Sequence, residues 1–184
     1  LIELGPGSGV LINDILRTAN IKKKFIEDAN LNFIEINQKL IKLQKEQLRN
    51  LNFYHGKWHN SFKIYQKNLP SIIYSNEFFD CFPIRQFYKK DQWYEKFVKY
   101  NSSEELFYFI SKKVKSSKVL KILDKYNNIK VAEISNSRLK YFNSLCKFIK
   151  KNKGILITID YGYDQLISNF TLQTISNHKK THLF

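Results

Sequence analysis

The stretch LIELGPGSGVLINDILR sets the first limit on the fold. Gly5, Gly7 and Gly9 alternate with other residues between an apolar run, Leu1 to Leu4, and an amphipathic stretch, Val10 to Thr18. The run reads as the end of a buried strand. The stretch reads as a helix with Leu11, Ile12, Ile15 and Leu16 on one side. A side-chain-free turn between strand and helix lets a ligand lie against the backbone. It also commits the chain to the strand–turn–helix unit from which parallel sheets are built.

The rest of the chain continues that rhythm. Asn32 to Ile36 (NFIEI) reads as a second strand, and Asn37 caps a helix over Gln38 to Arg49 that turns Leu40, Ile41 and Leu48 inward. Leu51 to His55 is expected as a third strand and Ser71 to Ser75 (SIIYS), after Pro70, as a fourth. Ile84 to Lys89 and Trp93 to Tyr100 flank KDQ and read as a hairpin. In SSEELFYFISKKV, Ser102 and Glu105 have the spacing of a capping box, which predicts a helix, and Val119 to Tyr126 predicts another. Ser137 to Lys151 follows as a helix with Leu139, Phe142, Leu145, Cys146 and Ile149 on one face. Gly154 ends it, and ILITIDYGY is a nearly all-apolar fifth strand ending in Asp160. Asp164 to Phe184 shows no clear periodicity.

Apolar strands alternating with helices predict an α/β fold, a mostly parallel sheet covered on both faces, with a hairpin and helical segment inserted between the fourth and fifth strands. The expected division is 1–81 for the cofactor-binding half of the core, 82–132 for the insert and 133–184 for the return to the core. Ligands of such sheets bind beyond the carboxyl ends of the strands, where strand order reverses. The glycine loop, Glu35, SNEFFD and Asp160 all fall at carboxyl ends, so one topology gathers them at one cleft.

The formal charge is +15, which raises nucleic acid as a partner. However, 27 Lys stand beside 4 Arg, with 18 Asn, 22 Ile and 3 Ala, the skew of an AT-rich genome. The lysines are scattered, as in Lys22 to Lys24, Lys89 and Lys90, and Lys150 to Lys153. A phosphate-binding face would be concentrated and rich in arginine. A solvated lysine surface is therefore the preferred reading, and nucleic acid the weaker one. Cys81 and Cys146 form no CxxC pair, which points to reduced, cytosol-like surroundings. His55, His59, His178 and His182 show no ligand spacing with them, so no metal is expected. No apolar run approaches the roughly 20 residues of a membrane span, and no membrane association is expected. The absence of methionine predicts that the chain is a piece of a longer translated protein.

The glycine spacing narrows the ligand. The dinucleotide fingerprint is GxGxxG, and here Val10 stands at its last glycine. ExGxGxG, led by Glu3, is instead the pattern of S-adenosylmethionine enzymes. That ligand has no phosphate; it carries a sulfonium, an ammonium, a carboxylate, a ribose and an adenine. The glycines make room for it, and Glu3 helps to hold the ammonium. Glu35 accepts the ribose hydroxyls, as acidic residues do in dinucleotide enzymes, and the polar insert IKKKFIEDANLN accounts for its extra distance from the loop. Asn76 orients cofactor or substrate. Trp58 reads as a core anchor before an adenine stack, and Phe78 and Phe79 as core packing.

With SNEFFDCFPIRQF the chain resembles the MidA-type class I methyltransferases of bacteria and mitochondria. ELGPGSGVLINDILR, FIEINQKLIKLQKEQL, WHNS, AEIS and KNKGILITIDYGY follow that family's pattern in order, over nearly all of the 184 residues. The resemblance implies a Rossmann-like, seven-stranded class I methyltransferase fold and S-adenosyl-L-methionine as cofactor. It implies a protein substrate, since mitochondrial members methylate protein arginine in support of respiratory complex I assembly. It further implies a cytoplasmic setting in bacteria and a mitochondrial one in eukaryotes. The family's N-terminal helices and last strands have no counterpart in this sequence, so the resemblance marks it as a fragment with an exposed sheet edge. Ser8 and Asn60 replace a common arginine and aspartate; the second change weakens the expected contact to the adenine amino group.

Arginine methylation suits the carboxylates after the fourth and fifth strands. Two carboxylates can grip a guanidinium bidentately and leave one nitrogen aimed at the methyl. Glu77, Asp80 and Asp160 are the expected catalytic residues. The alternatives are a nucleic-acid base methyltransferase, disfavoured by Glu77 where adenine methylases have a proline, and an inactive remnant. A dehydrogenase fits worst. A homodimer is compatible with all of these.

Overall fold

The structure is a computed structural model that describes residues 1–184 except 20–22, 54, 65–68, 126–127, 166–167 and 178, and the side chains at 23, 25, 26 and 64. The chain divides into two units: Leu1–Phe82 with Arg138–Tyr161, and Pro83–Ser137 with Gly162–Phe184.

The first unit is a parallel sheet. β1 (Ile2–Leu4) is wholly buried at its centre, between β2 (Asn32–Ile34) and β4 (Ile72–Asn76). β3 (Lys57–His59) lies outside β2, and β9 (Ile155–Ile159) outside β4, giving the order β3-β2-β1-β4-β9. Strands before β4 are added on one side of β1 and later ones on the other, so strand order reverses between β1 and β4. Alternation along the strands separates two cores. Ile2, Leu4, Ile34 and Ile73 face α5 (Asn136–Asn152), where Leu145, Phe148 and Ile149 meet them. Phe33 and Tyr74 face α1 (Val10–Ala19) and α3 (Gln38–Asn50), contributing with Ile12, Leu16 and Leu48 to a second cluster. A short α2 (Lys23–Asp28) leads into β2. Asn37 caps α3 as expected, its side chain accepting the Lys39 N–H at 3.0 Å.

The second unit is an antiparallel sheet in the order β7-β6-β5-β8, formed by β5 (Arg85–Lys89), β6 (Trp93–Asn101), β7 (Leu106–Lys113) and β8 (Val131–Ile134). α4 (Ser117–Leu123) closes a core of Phe87, Trp93, Val114, Leu123 and Ala132. β10 (Thr174–Ser176) and β11 (Lys179–Thr181) pair as a small hairpin in the tail.

Several expectations fail for local reasons. Leu51 to His55 is not a strand. Asn52 adopts a left-handed φ of 59°, its N–H donates to Arg49 O, and the Phe53 N–H donates to Leu48 O, so Leu51 and Phe53 finish α3 in a Schellman turn. Tyr54 lies outside the described residues, and the strand itself follows at Lys57–His59. SSEELFYFISKKV is not a helix either. Ser102 to Glu105 form a hairpin turn, with Asn101 accepting the Ser103 N–H and Glu105 at a φ of 52°. The alternating aromatic and β-branched residues after it pair with β6 as β7. α4 covers the start of the predicted Val119–Tyr126 helix; Tyr126 lies outside the described residues. β8, β10 and β11 were not expected. On α5 the buried stripe is Tyr141, Leu145 and Phe148, while Leu139, Phe142 and Cys146 are exposed. β9 is an edge strand: Leu156 packs against the α5 core, but Ile155, Ile157 and Ile159 remain about half exposed.

α5 and β9 are joined where Lys153 takes a φ of 55°, and Gly154 presses against β4. A Cβ on Gly154 would lie 2.2 Å from the Ser71 carbonyl oxygen, which accepts the Ile155 N–H at 2.9 Å. Only glycine fits there.

Candidate active site

A cleft of about 720 Å³ opens at the carboxyl ends of β1, β2 and β4, at the reversal of strand order. Its walls come from the glycine loop, the end of β2, α3 and the segment after β4. All six residues expected to bind cofactor are there or support it. Glu3, Gly5, Gly7, Glu35 and Asn76 line the cleft, and Gly9 closes the loop beneath it by accepting from Asn13 N–H. A second cavity of about 780 Å³, between Glu27, Asn30, Asn52 and Lys57, lies at the opposite, amino ends of β2 and β3 and holds no predicted site residue.

The three loop glycines all have left-handed φ values, from 57° to 88°. Their surroundings differ. A Cβ on Gly5 would strike Phe78 at 2.8 Å, whereas one on Gly7 would meet nothing within 4 Å. Gly7 therefore faces open space, and its lack of a side chain keeps a cradle free beside the backbone.

Glu35 is nearly buried. Its Oε1 accepts the Ile36 and Asn37 N–H groups, both at 2.8 Å, so the turn into α3 fixes the carboxylate. Among the described residues Oε2 has only a long contact, 3.4 Å, from Gln44 Nε2, and is the oxygen with most capacity to accept hydroxyl donors. Glu3 is 3% exposed and accepts the Tyr74 hydroxyl at 3.1 Å. Burial pushes its pKa up to about 7, the Tyr74 bond opposing the rise, and the same burial and the neighbouring Glu3 push Tyr74 up. Glu3 thus becomes an anion most readily when a cation approaches.

The segment after β4 holds the other carboxylates. Glu77 adopts a φ of 50°, a conformation that non-glycine residues rarely take, held by its N–H donating to Ile159 O. Its side chain accepts the Tyr161 hydroxyl at 3.1 Å, and this bond raises the Tyr161 pKa. Asp160 accepts the N–H groups of Phe79 at 2.8 Å and Asp80 at 3.3 Å through one oxygen, and that of Tyr161 through the other. It braces the Glu77–Asp80 turn. Asp80 is exposed. Beside it, burial first and the Asp80 carboxylate second push the Cys81 thiol up. Phe78 and Phe79 pack with Phe82 and Tyr141 in an aromatic cluster, as expected. Trp58 is stacked on Phe33 at 5.0 Å, an anchor of the core.

Two participants were not anticipated. Tyr161 orients Glu77, and only its place directly after Asp160 hinted at it. Gln44, 1% exposed on α3, joins the glycine loop, Glu35 and Trp58; a glutamine on the apolar face of a helix was the available signal.

The electrostatics of the cleft oppose those of the chain. Glu3, Asp14, Glu35 and Glu77 line it, and no Lys or Arg does among the described residues, in a chain of charge +15. A cationic ligand suits such a lining and a pyrophosphate does not. The open face of Gly7, the weakly bonded Oε2 of Glu35 and this negative lining fit a ligand with a sulfonium, an ammonium and ribose hydroxyls. Among the described residues no three His, Cys, Asp or Glu side chains are placed to hold a metal ion, and no helix is long and apolar enough to cross a membrane.

The fold and its ligand class agree with comparisons to known proteins. The chain is 26% identical over 204 residues to "Protein arginine methyltransferase NDUFAF7 homolog, mitochondrial" of Caenorhabditis elegans, a match covering 98% of this chain and 46% of that protein. It is 26% identical over 188 residues to the NDUFAF7 arginine methyltransferase of Danio rerio, covering 89% and 44%. The chain thus spans less than half the length of these relatives. A Burkholderia thailandensis protein of the COG1565 superfamily, crystallised with S-adenosyl-homocysteine, superposes with a TM-score of 0.70 at 18% identity over 88% of this chain and 41% of its own. The native crystal structure of a COG1565 protein from the same organism gives 0.69 at 18% identity, over 89% and 43%. The shared architecture is that of class I methyltransferases. The family model described as "Putative S-adenosyl-L-methionine-dependent methyltransferase" matches residues 1–184, and the chain belongs to this family, whose cofactor is S-adenosyl-L-methionine.

Proposed function

We propose that the protein transfers a methyl group from S-adenosyl-L-methionine to an arginine side chain of a protein substrate. The observation that carries this reading is the carboxylate-lined cleft in a strongly basic chain. The names of the relatives support arginine as the acceptor. In this reading Gly5, Gly7 and Gly9 leave room for the methionyl and ribose portions, Glu35 accepts the ribose hydroxyls, Glu3 faces the ammonium, and Asn76 orients cofactor or substrate. When bound, the cofactor supplies an electrophilic methyl on a positive sulfur. Glu77 and Asp80 accept N–H bonds from two guanidinium nitrogens and leave the third aimed at the methyl. The proton lost from that nitrogen passes to a carboxylate or to water. Asp160 acts one step back, holding the Glu77–Asp80 turn through the Phe79 and Asp80 amides. A role in assembling a respiratory complex follows as part of the same proposal. The lysine-rich surface serves solubility and not nucleic-acid recognition.

The test is mass spectrometry of arginine methylation in cells with and without the gene, paired with transfer of labelled methyl from the cofactor by the full-length protein. Methylarginine that disappears on deletion, and does not return with Glu77→Gln, is the expected result. Label on RNA or DNA, with none on protein, overturns the substrate assignment.

A further inference from the structure

Gln44 sits in the middle of α3 with its amide fully engaged. Nε2 donates to the Gly7 carbonyl at 2.7 Å and to Glu35 Oε2 at 3.4 Å, while Oε1 accepts the Trp58 indole N–H at 2.7 Å. The amide orientation is unambiguous. An indole N–H only donates and a backbone carbonyl only accepts, so a flipped Gln44 satisfies neither. A buried amide is costly unless bonded, and here the partners belong to three separate segments: the glycine loop, the end of β2 and β3. Gly9 also packs on this side chain, since a Cβ there would lie 3.4 Å from Gln44 Cγ. Glu35 Oε1 is pinned by backbone, so Gln44 is the side chain that fixes Oε2.

We propose that Gln44 is a positioning residue for the cofactor: one amide sets the Gly7 backbone and the ribose-binding carboxylate relative to each other. The proposal rests on the cofactor lying in this cleft. Gln44 does not itself line the cleft, so it acts through Gly7 and Glu35. Trp58 reports on it, because its indole N–H senses the Gln44 oxygen.

The experiment uses the full-length protein with Trp93 and every tryptophan outside residues 1–184 replaced by Phe, so that Trp58 emission can be followed, and titrates S-adenosyl-homocysteine by calorimetry. Gln44→Glu keeps an acceptor for Trp58 but turns an oxygen toward Gly7 O and Glu35. Affinity is expected to fall at least about tenfold at pH 8 while Trp58 emission stays unchanged. Gln44→Met keeps the volume and loses every bond; affinity falls about three- to tenfold and the emission shifts. A side chain that only stabilised the fold would lower the melting temperature and leave the affinity of the folded protein intact, so two folded variants binding within twofold of the parent overturn the proposal. Should neither variant fold, the side-chain amide resonances of Gln44 in the parent protein are expected to shift on saturation with S-adenosyl-homocysteine, and unshifted resonances overturn it. Failure of the parent itself to bind is a separate outcome, which removes the cofactor reading on which Gln44 depends.

Discussion

Replacing Glu3 by glutamine tests the electrostatics of the cleft directly. Burial holds the Glu3 pKa at about 7 in the folded chain, against an ordinary 4.5. Between these values the folded chain keeps a proton that the unfolded chain has lost. Stability therefore falls as pH rises from about 4.5 through about 7 and levels off above. The gap amounts to about 3 kcal/mol of stability lost by pH 8. Glu3→Gln keeps an acceptor for the Tyr74 hydroxyl, now 3.1 Å from Glu3 Oε2, and cannot ionise. Its extra N–H donors cost about 1 kcal/mol if they find no partner. The variant should therefore be about as stable as the parent at pH 5, where the parent has already lost about 1 kcal/mol, and about 2 kcal/mol more stable at pH 8. The measurement is urea unfolding at half-unit intervals from pH 5 to 8, followed by Trp58 emission in the same single-tryptophan background, because Trp58 belongs to the parallel-sheet unit. A difference between the two proteins that stays constant across this range would refute the reasoning. Cofactor binding adds a second signature: an ammonium near Glu3 favours its anion, so binding near pH 6 should release a proton, seen as a dependence of calorimetric heat on buffer ionisation enthalpy.

Two further substitutions probe the backbone. Glu77→Gly removes a side chain from a residue at a φ of 50° and should leave the protein as stable or up to about 1 kcal/mol more stable while abolishing methyl transfer; a clear loss in urea melts would show that the conformation carries no strain. Gly154→Ala places a methyl 2.2 Å from the Ser71 carbonyl oxygen and should cost about 2–4 kcal/mol, lowering the thermal midpoint seen by circular dichroism; an unchanged midpoint would mean that β4 and β9 can separate freely.

The parallel sheet was legible because its signals are local and redundant. Each core strand is a short apolar run, each helix is amphipathic, and the glycines and Asn37 mark the joints. The failures are places where two local codes compete. In LNF the pattern of a strand and of a helix-terminating turn coincide, and Asn52, able to take a left-handed φ, decides for the turn. In SSEELFYFISKK a capping spacing precedes an alternating run, and the cross-strand partners supplied by β6 decide for the strand. Partner availability also explains β9, whose apolar sequence reads as a central strand although, among the described residues, it pairs only with β4.

The site divides along the same line. Residues proposed to meet a ligand through their own chemistry, such as Glu35 and Glu77, stand at strand ends and can be found by counting from the glycine loop. Residues that act through others cannot, because nothing in their immediate sequence states what they hold. Asp160 precedes a tyrosine and a glycine and reads as a substrate carboxylate, yet its oxygens receive three backbone amides, two of them about eighty residues distant. Gln44 reads as an ordinary helix former, yet its amide reaches Gly7 across thirty-seven residues. A parallel sheet requires such long-range ties. Its loops arrive at the cleft from strands with no direct turn between them, so their relative positions are set by side chains and not by chain connectivity. A carboxylate or carboxamide whose bonds join two of these loops therefore sets the geometry of the cleft, which is the role proposed for Asp160 and Gln44.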